Sequence, residues 1–326
     1  MTDKKYEALI TQFQRISSFV SRHGNIFRIV VTVVLFTVLF RTIDFADVVN
    51  ATSNSRPVFL AASLSLMVPN LLLQVLKWRY ILHAAGVRPS WFQICKSVFG
   101  GFFIGAVSPG RTGEIARGVY LRGESVVKMA SLTIVDKGFN QATTVIVGLL
   151  SLSLLVPWPW SVLPIAVDIA FIASLFNLHR LEPLIKALLN KITTSAHVDN
   201  ALAAFDTLNS ATVRDMILYS IAFYMVYVLQ FYLMILAFVD VPPTVMIRTL
   251  PVVYLINLAF PVSFGDFGVK ETAAVNLLIP FGITGEAVFG AAVINNVVTF
   301  LIPSTIGGLM TAFHRSAPAE EDHPSS

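Results

Sequence analysis

Charged residues and cysteine are scarce in this sequence. Only 13% of its 326 residues are charged, whereas a soluble domain normally carries roughly a quarter. A soluble enzyme is therefore not expected. The single cysteine, Cys95, excludes an internal disulfide framework and a CxxC site for metal or redox chemistry. The histidines fall in predicted loops or tails, and the net charge of +4 is too small to indicate nucleic-acid binding. Neither a metal, a cofactor nor a nucleic acid is expected.

Long apolar blocks dominate the sequence instead. Hydrophobic residues make up 55% of the chain, and they form blocks long enough for helices that cross a bilayer. Two further apolar regions, 93–121 and 249–281, are interrupted near their middle by glycine, proline and charge, which is typical of re-entrant helices. The sequence thus predicts an all-α polytopic membrane protein with six full spans plus two re-entrant helical hairpins. The first span is predicted to begin with the apolar block 29–40, and the other five are predicted at 57–76, 129–155, 161–178, 215–239 and 286–312.

The placement of lysine and arginine predicts the orientation of the chain. Fifteen of them, including Lys77, lie in segments on the side of the two termini, and three lie on the opposite side. Because positive charge collects in cytoplasmic loops, both termini are predicted to be cytoplasmic. Residues 1–28 are interpreted as a cytoplasmic amphipathic lead, with a cleaved signal peptide as the alternative. Residues 179–213 are interpreted as a cytoplasmic linker and 313–326 as a disordered tail.

An internal repeat divides the apolar region into two membrane repeats, 29–155 and 156–312. The pattern V-S-x-G-x-x-G occurs at 107–113 and again at 262–268, offset by 155 positions. The same offset maps two predicted spans onto two others: 57–76 onto 212–231 and 129–155 onto 284–310. An odd number of crossings in each half would insert the second half upside down. Inverted repeats with broken helices are typical of alternating-access transporters.

Ionisable residues cluster at the breaks in the two hairpins. A charge at the bilayer centre costs about 2.5 to 3.5 kcal/mol, so such residues need partners or water and usually mark a function. In the first hairpin, Glu114 and Arg117 are spaced i, i+3 and are expected to be able to pair. The cluster has four positive and four negative members: Arg111, Glu114, Arg117, Asp136, Lys137, Asp266, Lys270 and Glu271.

Two interpretations of this cluster stay open. In one, the charges only neutralise one another and hold the hairpins together. In the other, the four cations are partly free to bind an anionic phosphate, for which the planar fork of arginine is suited, while the acids tune or release it. Glycines would let backbone N–H groups approach the headgroup, and serines would donate hydrogen bonds or act as local caps. These residues are Ser108, Gly110, Gly113, Ser263, Gly265 and Gly268.

Other polar residues in the spans have more ordinary explanations. Trp78 and its two neighbours end the second predicted span, where they are interpreted as interfacial anchors. Asn295 and Asn296 lie within the last span and are expected to hydrogen-bond to a neighbouring helix rather than to a substrate.

Two runs of residues resemble the transmembrane region of lysylphosphatidylglycerol synthases, also called the UPF0104 family. The first comprises Leu76-Lys77-Trp78-Arg79-Tyr80-Ile81-Leu82 through Gly86, then Ser108-Pro109-Gly110-Arg111-Thr112-Gly113-Glu114 with Arg117, Tyr120, Asp136 and Lys137. The second is Pro261-Val262-Ser263-Phe264-Gly265-Asp266-Phe267-Gly268-Val269-Lys270-Glu271, with Gly282 and Ala287. It departs from the usual P-x-G-G-x-G-x-x-E pattern at Phe264 and Asp266. The similarity extends over roughly residues 25 to 312.

The resemblance implies a function in lipid movement. The family's membrane region resembles a flippase that moves aminoacylated phosphatidylglycerol between leaflets, and relatives are associated with hopanoids or polyprenyl-linked sugars. Lipid-path roles are implied for Arg111, Glu114, Arg117, Asp266 and Glu271. The soluble aminoacyl transferase domain of full-length synthases has no counterpart in residues 313–326, so lysyl transfer by this chain is not expected.

The expected function is therefore that of an integral lipid translocase in a bacterial inner membrane. Its substrate is expected to be an anionic or aminoacylated phospholipid or a related lipid. An integral-membrane transferase acting on a lipid-linked sugar or hopanoid is the alternative, although the sequence has neither a D-x-D motif nor a histidine in a predicted span. A third alternative is an accessory subunit of a lipid-modifying enzyme, and a homodimer stays open.

Overall fold

The computed structural model describes residues 55–106, 108, 111–121, 123–176, 209–260 and 268–312. All regular elements in these ranges are helical. The α-helices are α1 (Pro57–Ser65), α2 (Met67–Ala84), α3 (Trp91–Ala106), α4 (Val126–Ser153), α5 (Val162–Phe176), α6 (Ser210–Leu236), α7 (Pro243–Ala259), α8 (Val269–Leu278), α9 (Gly285–Asn296) and α10 (Ile302–Ala312). A 3₁₀ helix spans Thr112–Tyr120, and a π-helical turn, Val297–Leu301, joins α9 to α10. The predicted lead, the first apolar block, most of the linker and the tail lie outside the described residues.

Three of the helical segments are long and apolar enough to cross a membrane. They are Pro57–Ala84, which consists of α1 and α2; Ser210–Leu236, which is α6; and Gly285–Ala312, which consists of α9, the π-helical turn and α10. Each has 27 or 28 residues, more than the about 20 that a bilayer requires. Each coincides with a predicted span. The structure therefore agrees with an all-helical membrane protein.

Helix boundaries differ from the predicted ones where side chains pack or cap. Helix α2 continues past residue 76 to Ala84, because Trp78, Ile81 and Leu82 are all fully buried in the core of the first half of the molecule. Lys77 and His83, which were assigned to a loop, are therefore helical. Helix α6 begins inside the predicted linker, since the Asn209 side chain accepts a hydrogen bond of 2.8 Å from the backbone N–H of Thr212.

The first interrupted region folds as two antiparallel limbs, α3 and the 3₁₀ helix. A Cβ atom added to Gly100 would overlap the Tyr120 ring, and one added to Gly105 would overlap the Glu114 side chain. The later glycine of α3 thus lies against the earlier residue of the 3₁₀ helix, which shows that the two limbs run antiparallel. Arg111, with φ of 57°, occupies the left-handed region at the turn between the limbs, which is unusual for a residue other than glycine.

The second interrupted region has the same two-limb order, with α7 followed by α8. Helix α8 starts after Gly268, whose φ of 100° suits glycine. The residues between the limbs, 261–267, lie outside the described part. This order matches the first region, where α3 precedes the 3₁₀ helix.

The two halves of the molecule, residues 57–153 and 210–312, share one order of elements. Each half begins with a long segment, of 28 residues in the first half (α1 and α2) and 27 in the second (α6). The first limb, α3 or α7, has 16 or 17 residues, and the second limb, the 3₁₀ helix or α8, has 9 or 10. Each half ends with a segment of 28 residues, α4 in the first half and α9 to α10 in the second. The offset is 153 where Pro57 matches Ser210 and 157 where Thr112 matches Val269. The sequence offset of 155 falls between these values, because the second half has the longer connection between limbs.

The halves also pack on each other reciprocally. A Cβ added to Gly307 of α10 would overlap the Phe99 carbonyl of α3, and one added to Gly148 of α4 would lie 3.2 Å from the Pro251 carbonyl oxygen of α7. Gly148 and Gly307 are each the twenty-third residue of their long segment, and Phe99 and Pro251 are each the ninth residue of their limb. Each half therefore receives the other half's first limb at the same level, which gives the described core an approximate two-fold arrangement.

Candidate functional site

Asp136 of helix α4 lies at the centre of a buried group of charges. Its Oδ2 atom is 2.7 Å from Nη2 of Arg117, and its Oδ1 atom is 3.3 Å from Nζ of Lys77. The Arg117 guanidinium carbon lies 3.7 Å from the centre of the Trp78 ring. All of these side chains are buried. Because a buried charge is costly unless it is paired, this group fits the interpretation in which charges neutralise one another and join helices α2 and α4 to the first hairpin.

The structure buries Trp78 and Lys77, which contradicts the predictions made for both residues. The interfacial anchoring expected of Trp78 is wrong, because its side chain is fully buried within the protein and its Nε1–H donates to Ser97 Oγ at 3.1 Å. Lys77, which was counted among the cytoplasmic loop charges, is 2% exposed and donates to the backbone carbonyl of Asp136. Sequence spacing missed Lys77 as a partner because it stands at the predicted end of a span.

Glu114 is shared by two cations. Its Oε1 atom is 2.5 Å from the Arg111 guanidinium, and its Oε2 atom accepts a hydrogen bond from Lys137 Nζ. The pair expected between Glu114 and Arg117 does not form, since α4 offers each of them an opposite charge, Lys137 and Asp136 respectively. The side chains of Arg111 and Lys137 keep 20% and 32% of their surface exposed, against 6% for Glu114.

The second hairpin has a bonded group of its own. The Asn296 side chain of α9 accepts a hydrogen bond from Lys270 Nζ and donates one to Glu271 Oε1. Glu271 Oε2 accepts a hydrogen bond of 2.7 Å from the backbone N–H of Gly268. Asn296 thus bonds to a neighbouring helix as predicted, whereas the same prediction is wrong for Asn295, whose side chain has no hydrogen-bond partner among the described residues. Lys270 and Glu271 are each 1% exposed, so neither reaches an open surface of the described structure.

The remaining predicted residues divide into local caps and undescribed positions. Ser108 Oγ donates to the Gly105 carbonyl at 3.1 Å and accepts from the Gly113 N–H at 2.7 Å. These two residues therefore close the turn after α3, which is the capping role that the sequence left open. Four predicted site residues lie outside the described part of the chain: Gly110, Ser263, Gly265 and Asp266.

A polar cavity of about 200 Å³ lies where the two halves meet. Arg111 and Lys137 are the two predicted site residues in its wall. Helix α4 contributes positions 137, 140, 141 and 144, whose spacing places them on one helical face. The other lining residues come from α2, α3, α6, α7 and the π-helical turn. The wall is formed by Asn70, Gln74, Phe102, Arg111, Lys137, Asn140, Gln141, Thr144, Phe223, Tyr224, Tyr227, Tyr254, Asn257, Leu258 and Thr299.

Most residues of this wall were not predicted. Five carboxamides and three tyrosines line it in addition to the two cations. The available signal was the presence of Asn70, Asn140 and Gln141 inside or beside predicted apolar blocks. Single amides in membrane helices commonly bond helix to helix, so the sequence alone gives no means to separate a lining amide from a structural one.

Two polar atoms of the wall have no hydrogen-bond partner among the described residues. They are the Tyr224 hydroxyl and the Asn257 Oδ1 atom. A buried polar group left without a partner costs about 1 to 3 kcal/mol, and such groups call for a water molecule or a ligand. Both atoms are themselves buried, so they lie behind the surface that the wall presents to the cavity.

Comparison with known proteins identifies the family. The model of the lysylphosphatidylglycerol synthase transmembrane region matches residues 25–307. The chain belongs to this family. A UPF0104 membrane protein of Methanothermobacter thermautotrophicus is 23% identical over 321 residues, which cover 87% of this chain and 91% of that protein.

The match to the lysylphosphatidylglycerol synthase transmembrane region contains the whole candidate site. Both hairpins, the buried charge group at Asp136 and every residue of the cavity wall fall within residues 25–307. Family membership and the three long apolar segments together make this a membrane protein. The resemblance found in the two sequence signatures is thereby confirmed.

Proposed function

We propose that this chain is a lipid translocase, which moves an anionic or aminoacylated phospholipid, or a related lipid, between the leaflets of a bacterial inner membrane. The observation that supports this most directly is the polar cavity between the two halves of a membrane domain, with Arg111 and Lys137 in its wall. Cationic side chains at membrane depth attract phosphate, and their cost is justified by a substrate or ion pathway. The cavity is the place where a headgroup would leave the water and cross.

The proposal includes a topology. Six full spans plus two re-entrant hairpins, with the second half inverted and both termini cytoplasmic, would place the turns of the two hairpins near the bilayer midplane. The shared order of elements and the reciprocal glycine contacts at Gly148 and Gly307 support such a repeat. In transporters of this design, one repeat moves against the other around a central site.

Glu114 has a defined role in the proposed cycle. In the described structure it holds Arg111 and Lys137 together. A lipid phosphate entering the cavity would compete with the Glu114 carboxylate for both cations, and the arginine fork would bind it through two parallel hydrogen bonds. When the headgroup leaves, the carboxylate takes the cations back, so that the phosphate is not retained.

Liposomes that contain the purified chain and a tail-labelled phosphatidylglycerol test this function. Bleaching of the outer leaflet by dithionite reports how much labelled lipid moves outward. Arg111→Gln should lower the rate about tenfold or more, because it removes a charge-assisted hydrogen bond to phosphate. Arg111→Lys should lower it less, since one contact is kept.

Arg56 provides the matched control. It forms an ion pair with Asp240 on the surface, beside the start of α1, and its hydrogen bond holds the pKa of the Asp240 carboxyl below its ordinary value. Arg56→Gln should leave lipid movement within about twofold of the unmodified protein, because surface pairs contribute little. A rate unaffected by Arg111→Gln would contradict the proposal.

The alternative of an integral-membrane transferase is distinguished in the same liposomes. A translocase leaves the chemical composition of the lipids unchanged, whereas a transferase changes the mass of a lipid-linked sugar or hopanoid supplied with its donor. An accessory subunit would move no labelled lipid and would instead raise the activity of an added lipid-modifying enzyme.

A further inference from the structure

Helix α5 presents an apolar surface to its surroundings and buries one acidic residue. Its large exposed side chains are Val162, Leu163, Ile165, Val167 and Ile169. Among the described side chains of this helix, only Pro164 and Asp168 are buried. They are four positions apart and therefore lie on one face of the helix. Helix α5 packs on α4, so the acid is enclosed by protein while the rest of the helix suits contact with lipid.

Asp168 differs from the other buried acids of the described structure. Cations hold Glu114 and Asp136, and an amide and a backbone N–H hold Glu271. Asp168 is 2% exposed and forms no ion pair with any described residue. Its Oδ1 atom has no hydrogen-bond partner. The network of paired charges described above therefore does not explain this carboxyl.

The part of the chain around Asp168 has no counter-charge. Residues 138–167 contain no charged residue and no histidine. Asp168 is the seventh residue of α5 and Val147 is the seventh from the end of α4, so the antiparallel pair of helices brings them to about the same level. The charged residues of α4 are Lys128, Asp136 and Lys137. Lys137 is the nearest of them, and ten residues of helix separate it from that level by about 15 Å.

A carboxyl in such a position is neutral for most of the time. An ionised carboxylate that is removed from water and has no counter-charge is strongly disfavoured, and the group takes up a proton instead. The protonated carboxyl can donate a hydrogen bond, which the carboxylate cannot. Acidic residues within membrane helices commonly mark the proton relays of pumps and transporters. Asp168 is thus suited to bind and release a proton.

Asp168 lies between one membrane surface and the cavity. It is six residues from the start of α5, about 9 Å along the helix, and the connection before α5 carries the exposed Trp158 and Trp160, which are typical of a membrane–water interface. In the other direction, Thr144 of the cavity wall is three residues from Val147, about 5 Å along α4. A proton bound at this level can therefore respond to a movement of α4 beside the cavity.

These observations carry one inference, whose second part rests on the proposed function. We infer that Asp168 is a proton-binding carboxyl of the membrane domain, and that lipid movement is coupled to the proton bound there. The carboxyl keeps its O–H bond while it is enclosed. When water reaches the group, that bond breaks and the proton passes to a water molecule. The carboxylate that remains takes a proton back from water before it is enclosed again.

A lipid-soluble carbodiimide tests the protonation of this carboxyl. N,N′-dicyclohexylcarbodiimide adds to protonated carboxyl groups that it reaches from the apolar phase, and mass spectrometry of peptides locates the adduct. In the full chain in nanodiscs, Asp168 should be labelled about tenfold more than Asp136, which is equally buried but ionised by its cations. A water-soluble carbodiimide is the control and should modify the exposed Glu286 instead. Equal labelling of Asp168 and Asp136, or an unlabelled Asp168, would overturn the inference.

A proton gradient across liposomes tests the coupling. In liposomes that hold the chain in one orientation, reversing the gradient should change the rate of lipid movement about fivefold or more. Asp168→Asn should remove this response, because the amide has a similar shape and cannot exchange a proton. Asp168→Glu should restore part of it. Asp240→Asn is the matched control, since the Asp240 side chain is 75% exposed, and should keep the full response.

The outcomes separate the inference from the proposed function. A response that persists in Asp168→Asn would overturn the coupling, and so would labelling of Asp168 in a chain that shows no response. The latter result would make the protonated carboxyl a hydrogen-bond donor that joins α5 to α4. Labelling of Asp168 without lipid movement under any condition would remove the translocase function and leave the proton-binding carboxyl. Lipid movement with neither labelling nor response would remove the inference alone.

Discussion

In both halves of the molecule a glutamate of the second limb bonds to a side chain of the last long segment, at equivalent positions, but the partner of the glutamate differs. Glu114 and Glu271 are each the third residue of a second limb, and their partners, Lys137 and Asn296, are each the twelfth residue of a long segment. In the first half a cation binds the carboxylate, and that cation reaches the cavity. In the second half an amide binds it, and the contact is fully buried.

The neighbouring position shows the same difference more strongly. Asp136 and Asn295 are each the eleventh residue of a long segment. Arg117, which binds Asp136, is the sixth residue of its limb, where the second half has Ala274. The Asn295 side chain has no hydrogen-bond partner among the described residues. The first half thus places two cations, Arg111 and Lys137, in the cavity wall, while the second half has amides at the positions equivalent to Asp136 and Lys137 and supplies the tyrosines of the wall.

The largest expected effect comes from breaking the central ion pair of the first half. Asp136→Ala leaves Lys77 and Arg117 buried without their counter-charge, and should destabilise the protein by about 3 to 5 kcal/mol. Asn295→Ala changes the equivalent position of the second half and should cost about 1 kcal/mol or less, because no described bond is lost. Thermal unfolding of both variants in detergent compares them. Equal losses would refute the distinction between the halves.

A smaller effect is expected where the halves contact each other. Gly307→Ala and Gly148→Ala should each destabilise the protein by about 1 to 3 kcal/mol, since a methyl group would press on the backbone or side chains of the opposite limb. Gly307→Ala should be the worse of the two, because a Cβ there would overlap a backbone carbonyl. The measurement is again the unfolding temperature in detergent.

Controls for the glycine contacts lie on the same segments. A Cβ at Gly138 of α4 or at Gly290 of α9 would meet nothing within 4 Å. Alanine at either position should be neutral or slightly stabilising, because alanine is the better helix former. If these controls lose as much stability as the contact variants, helix packing at Gly148 and Gly307 is not what joins the halves.

The sequence predicted the helices better than the contacts between them. Apolar blocks of bilayer length are a one-dimensional signal, and the three segments beginning at Pro57, Ser210 and Gly285 follow from it. Breaks announced by glycine, proline and charge likewise predicted where the limbs separate. Which side chains form ion pairs depends on the three-dimensional packing of the helices. The i, i+3 spacing predicted a pair between Glu114 and Arg117, but α4 places Lys137 beside Glu114 and Asp136 beside Arg117.

The burial of residues at helix ends and the composition of the cavity wall could not be predicted from the sequence either, because both depend on how the helices pack. Trp78 stands at the end of an apolar block, where an interfacial tryptophan and a buried one look alike. Its burial depends on Ser97 and Arg117, which come from the following hairpin. The lining amides are separated by up to nearly 190 positions, from Asn70 to Asn257, and only the packing of the two halves brings them together.

The smallest structural effect, and the one that bears most on function, comes from neutralising the two equivalent carboxylates. Glu271→Gln keeps only one of its two accepted hydrogen bonds, from Gly268 or from Asn296, because an amide has a single acceptor oxygen; since neither contact reaches the cavity, lipid movement should stay within about twofold. Glu114→Gln cannot hold two cations equally well, since the hydrogen bonds are no longer charge-assisted. Arg111 and Lys137 would then retain phosphate longer, so labelled lipid should bind more tightly and move about tenfold more slowly. Tighter binding with unchanged movement would show that release of the cations from the phosphate does not limit the cycle, and that Glu114, like Glu271, serves only to position its helix.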